Sequence, residues 1–163
     1  MGLADPIRPD SAKTVLVIED SETDAMLLQR QLQLHGVSNP IVILRTGDDA
    51  IRYLSGTGEY ADRSVHPLPF VLLLDLKLPG NTDGLTVLKW VRMQPALRDL
   101  LVIVISKLED PGVIREAYHL GANSYLMKPA NGEEIRNLLR GFNSHWTLNQ
   151  QTADSTASMA QLD

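Results

Sequence analysis

The chain has 163 residues, 44% of them hydrophobic, no cysteine and a formal net charge of −5. That length suits one domain with a sizeable core, and the missing cysteine excludes disulfides, thiolate metal sites and thiol catalysis. The acidic balance disfavours general nucleic-acid binding, no apolar run nears the roughly 18 residues of a membrane helix, and the start MGLADPIRPDSAK has no apolar signal core, so a cytoplasmic protein is expected.

Residues 1–13 contain two prolines and no periodicity, and are expected to form a flexible arm. Residues 14–18, TVLVI, are a short apolar run, as in a strand buried on both faces. Ser21 and Asp24 then form a capping pair for a helix whose inner face carries Ala25, Leu28 and Leu32, and Gly36 stops it. Residues 41–45, IVILR, are a second strand, followed by a short helix from Thr46–Asp49 to Gly56 and a polar, proline-containing loop over 57–69. The third run is 70–74, FVLLL; its helix covers 84–94 with Leu85, Leu88 and Val91 inward, closed by Pro95. The fourth run is 101–105, LVIVI, and Asp110-Pro111 is a cap with proline at the first helical position. Gly121 ends that helix and the fifth run is 123–127. Asn131 and Glu134 open a last helix with Ile135, Leu138, Leu139 and Phe142 on one face. The domain is expected to span 14–147, with a polar tail over 148–163.

Strands alternating with helices in this way predict an α/β fold, a five-stranded parallel sheet with helices on both faces. The pattern leaves strand order open; 2-1-3-4-5 is common at this length. Ligands of such sheets sit beyond the carboxyl ends of the strands. The residues there are Glu19 and Asp20 after the first run, Asp75 after the third, Ser106 after the fourth and Lys128 after the fifth. With strands 1 and 3 adjacent, three carboxylates converge, repel one another and invite a hard divalent cation such as Mg²⁺. A carboxylate nucleophile, metal ligands, an ammonium and a hydroxyl are the parts needed for phosphoryl transfer to an aspartate.

Four phrases in order, VLVIEDS, LLLDLKLPG, VIVIS and SYLMKP, make residues 14–143 resemble the receiver domain of two-component response regulators. The long connection over 57–69, with DLKLP and LGANSYLMKP, is similar to short stand-alone members that serve phytochrome-type sensor kinases. The resemblance implies a flavodoxin-like receiver fold of order 2-1-3-4-5. It implies that Asp75 accepts phosphate from a phosphohistidine of a sensor histidine kinase, in this subfamily a bacteriophytochrome. Asp20 would bind Mg²⁺ directly, Glu19 through water, and the Lys77 backbone carbonyl would add a ligand. Ser106 would hydrogen-bond the phosphoryl group and Lys128 would pair with it, the Lys128–Pro129 bond being cis. Tyr125 holds the position of the switching aromatic, turning inward as Ser106 moves; taken alone, it is equally a half-buried strand aromatic. Lys77 and Lys107 depart from the common pattern, and two added cations there are expected to slow self-dephosphorylation.

The output is then a conformational or dimerisation change, or relay of the phosphate to a histidine phosphotransferase, rather than enzymatic turnover. A homodimer is expected, and Trp146 and Leu148 either pack on their own domain or dock on a second protomer. An aspartate-nucleophile phosphatase would need an acid where Lys77 stands. Intact Asp75 and Lys128 argue against an inert scaffold, and the 35 residues after Lys128 leave no room for a DNA-binding domain. A flavin site would need a glycine-rich loop after the first strand, which is absent. The four histidines, and Lys89, Arg92 and Arg98, are expected on the solvated surface.

Overall fold

The computed structural model describes residues 13–142. The expected arm, the tail and the docking residues Trp146 and Leu148 lie outside the described residues. In chain order the elements are β1 (Thr14–Ile18), α1 (Glu22–Leu34), β2 (Ile41–Leu44), α2 (Gly47–Ser55), β3 (Pro69–Leu74), α3 (Gly84–Met93), β4 (Leu101–Ser106), α4 (Pro111–His119), β5 (Ser124–Met127) and α5 (Gly132–Phe142). Single 3₁₀ turns occupy Gly58–Tyr60 and Pro95–Leu97. The sheet is parallel throughout, in the order β2-β1-β3-β4-β5.

Successive side chains of a strand point to opposite faces, and here both faces are greasy. Leu16, Ile18, Leu72, Leu74, Val102 and Val104 pack with Ala50 and Tyr53 of α2, Val87 and Leu88 of α3 and Ala117 of α4. On the opposite face Val15, Val17, Val71, Leu73, Ile103 and Ile105 pack with Leu28 and Leu32 of α1 and Ile135 and Leu139 of α5. Each such side chain contributes about 1.5–3 kcal/mol on leaving water. The α3 face is turned slightly from expectation: Val87 is fully buried, whereas Leu85 is only half-buried.

Side-chain oxygens cap the helices, Asp83 among them without having been read as a cap from the sequence. Ser21 Oγ accepts from the Asp24 N–H at 3.2 Å, Thr46 Oγ1 from Asp49 at 3.0 Å and Asp83 Oδ1 from Thr86 at 2.8 Å. Asp110 and Asn131 do the same for Gly112 and Glu133. The Ser21–Asp24 box is only half made, because the Ser21 N–H is taken by Glu19 Oε1 at 3.0 Å. That frees the Asp24 carboxylate for another use.

Two expected surface residues are not free. Arg92 reaches back from α3 to the carbonyls of Leu100 (2.7 Å), Arg98 (3.2 Å) and Gly121 (2.8 Å) and to Asn123 Oδ1 (3.0 Å). It ties the loop before β4 to the loop before β5, so it is a strap and not part of a solvated face. His66 lies half-buried, edge-on to Tyr60 at 5.2 Å and to Tyr53 at 6.0 Å. The 57–68 connection is folded onto α2 by the same group: Tyr53 donates to the Pro67 carbonyl at 2.8 Å and Arg63 to those of Tyr53 and Leu54.

Candidate functional site

The register of the sheet builds the site. Ile18 pairs with Leu74, so Glu19 and Asp20 leave β1 beside Asp75, whose N–H bonds to the Ile18 carbonyl at 3.0 Å. Ser106 pairs with Met127, and the Lys128 N–H bonds to the Ser106 carbonyl at 2.9 Å. Glu19, Asp20, Asp75, Lys77, Ser106 and Lys128 all line one cavity of about 490 Å³ at the strand ends. The Lys128–Pro129 bond is cis. Gly84 opens α3 against the loop after β3; a Cβ there would stand 2.2 Å from the Asp75 carbonyl oxygen, so only glycine allows the approach.

The charges are arranged around one ammonium. Lys128 Nζ donates to Asp75 Oδ2 at 2.8 Å, to Asp24 Oδ2 at 3.1 Å and to Glu19 Oε2. Burial alone would lower the Lys128 pKa; the hydrogen bonds it donates to Asp75, Glu19 and Asp24 outweigh it and hold the group above its ordinary value, fully protonated. Burial pushes the Glu19 carboxyl up, with the Lys128 ammonium pulling against it. Asp75 Oδ1 accepts from the Lys77 N–H at 3.3 Å. Lys77 and Asp20 sit exposed on the rim, whereas Glu19, Asp75 and Ser106 are buried.

One oxygen each from Glu19, Asp20 and Asp75 lies within 4.8 Å of the others. Three carboxylates and no nitrogen or sulfur donor suit a hard, oxygen-seeking divalent cation, so the donor set fits Mg²⁺ or Mn²⁺.

Ser106 and Tyr125 are linked through Leu108. Ser106 Oγ accepts from the Leu108 N–H at 3.1 Å, and Tyr125 Oη donates to the Leu108 carbonyl at 2.7 Å. Tyr125 is half-buried against the α2–α4 core and does not line the cavity. Asp24 was missed by sequence reasoning as a member of the site. Its spacing from Ser21 reads as a helix cap, and nothing local in the sequence marks its contact with Lys128, 104 residues away.

Residues 15–140 match the response regulator receiver domain. The chain belongs to that family, and so to phosphorylation-based two-component signalling, whose receivers act with a histidine kinase. It is 33% identical over 134 residues to response regulator Rcp1 of Synechocystis sp. PCC 6803, covering 82% of this chain and 88% of that protein. The Mn²⁺-bound structure of Rcp1 superposes with a TM-score of 0.66 over 82% of this chain and 94% of that one, at 33% identity. The phosphorylated cyanobacterial phytochrome response regulator RcpA is 32% identical, with a TM-score of 0.68 over 83% and 94% of the two chains. Response regulator RPA3017, in red light signalling of R. palustris, is 34% identical, with a TM-score of 0.74 over 83% and 96%. Among the described residues no helix is long and apolar enough to cross a membrane.

Proposed function

We propose that Asp75 is the phosphoacceptor, taking its phosphoryl group from a phosphohistidine of a sensor histidine kinase of the phytochrome type. The observation that carries this reading is the Lys128 ammonium 2.8 Å from Asp75 Oδ2 at the floor of an acidic cavity. The kinase assignment is supported by the phytochrome and red-light systems of RcpA and RPA3017.

An Asp75 carboxylate oxygen attacks phosphorus as the bond to the imidazole nitrogen breaks, and that nitrogen leaves with the bonding pair. Lys128 balances the charge on the transferred oxygens, and the Ser106 hydroxyl turns to donate to one of them. Glu19, Asp20, Asp75 and the Lys77 backbone carbonyl would hold Mg²⁺, which when bound neutralises phosphoryl charge.

The consequence is a population shift set by differential affinity. A Ser106 hydroxyl that turns to the phosphate gives up the Leu108 N–H, so the loop to α4 loses that tie while Tyr125 still holds the Leu108 carbonyl. The face of α4, β5 and α5 is the output surface, and a second copy of the chain or a histidine phosphotransferase would read it.

Incubation with acetyl phosphate and Mg²⁺, followed by intact mass, tests the acceptor. One phosphoryl group should be gained, and none by Asp75→Asn. A gain that persists in that variant would overturn the assignment.

A further inference from the structure

We propose that Asp24 is a positioning residue of this cavity: from the first turn of α1 its carboxylate ties Lys128 to Lys107 across the mouth and sets how much positive charge an anionic phosphodonor meets. The inference rests on the reading of Asp75 as acceptor.

One oxygen does the joining. Asp24 Oδ2 lies 3.1 Å from Lys128 Nζ and 3.7 Å from Lys107 Nζ. Those three residues come from α1, the end of β5 and the end of β4, so the link crosses three elements. The Asp24 side chain is 23% exposed and that of Lys107 is 75% exposed, so the acid belongs to the wall and the lysine folds over it from solvent. Capping does not explain this placement. The Ser21 N–H that Asp24 would accept in a full capping box is already bound by Glu19. What Asp24 contributes to α1 is its backbone N–H, and its carboxylate is turned to the lysines.

The charge count gives the consequence. The lining carries the acids Glu19, Asp20, Asp24 and Asp75 and the cations Lys77, Lys107 and Lys128, three positive against four negative, a net of −1. Without the Asp24 charge the same lining is neutral, and Lys107 is released to face the entering donor. Asp24 therefore holds back the spontaneous reaction with small anionic donors. A kinase that docks its phosphohistidine supplies the missing attraction through protein contacts and is less affected.

The test compares Asp24→Asn with the wild type at saturating Mg²⁺. Its phosphorylation rate constant with acetyl phosphate, a dianion, should rise about three- to fivefold at low ionic strength. The increase should shrink toward unity near 1 M salt, where the screening length is about 3 Å. It should be smaller with phosphoramidate, whose net charge is one unit less negative. Asp24→Glu, which restores the charge, should return the rate to within about twofold of wild type. A merely structural role predicts a ratio indifferent to salt and donor charge, and that result, or no change in rate, would overturn the proposal. Failure of the wild type itself to gain phosphate on Asp75 would instead remove the reading beneath it.

Discussion

Replacing Lys128 with methionine tests the electrostatic design of the site. In the metal-free protein the ammonium is the cation shared by Glu19, Asp75 and Asp24. The side chains of Lys128, Glu19 and Asp75 are 9%, 5% and 7% exposed, so the charges left behind would be only partly rehydrated in place. Removing one partner of a buried pair costs about 3–5 kcal/mol. The cavity opens to water beside exposed Asp20, so the lower end applies, about 3 kcal/mol. At a urea m value of about 1.5 kcal/mol/M, the midpoint falls by about 2 M. The loss also depends on pH. Burial already raises the Glu19 pKa, and without the Lys128 ammonium it rises further. A carboxyl whose pKa is higher folded than unfolded favours the folded state where it is protonated, so the variant recovers stability as pH falls from 8 toward 5. Mg²⁺ should restore it at pH 8. Urea melts at both pH values, with and without Mg²⁺, provide the check. A variant within about 1 kcal/mol of wild type at pH 8 without metal would refute the reasoning.

Three further outcomes follow from the packing and the rim. Gly84→Ala places a Cβ against backbone atoms of Asp75 and Leu76, which cannot yield, so about 1–3 kcal/mol is lost; phosphorylation slows with it, and an unchanged rate would show that the acceptor loop tolerates the shift. Arg92→Leu strands the carbonyls of Leu100 and Gly121 and costs about 3 kcal/mol by urea melt, a loss below 1 kcal/mol meaning that water replaces the strap. Lys77→Asn, at the rim two residues after Asp75, should shorten the lifetime of the phosphorylated form several-fold; equal decay curves by intact mass after donor removal would dismiss the role of that lysine.

The strands and helix starts were legible because their signals are local. A run such as Leu101–Ile105 needs no partner to be recognised, and Ser21, Thr46 and Asp110 cap backbone N–H groups two or three residues away. Strand order was not legible from the pattern, since every parallel crossover looks alike in sequence; it came from the resemblance. Two of the side chains that the pattern misassigned act across long separations. Arg92 binds Asn123 from 31 residues away, and Asp24 meets Lys128 across 104. His66 was read as a surface residue because its contacts with Tyr53 of α2 and Tyr60 of the 3₁₀ turn leave no periodic trace.

The bond between the Lys128 amide and the Ser106 carbonyl has a mechanical consequence. It fastens the two groups proposed to grip the phosphate to a single stiff bar of sheet, so neither can retreat without tearing a rung. Only their side chains are free to swing. On the proposed reading, recoil from the new charge leaves through the strip of chain that begins at Lys107 and the helix α4 hung from it.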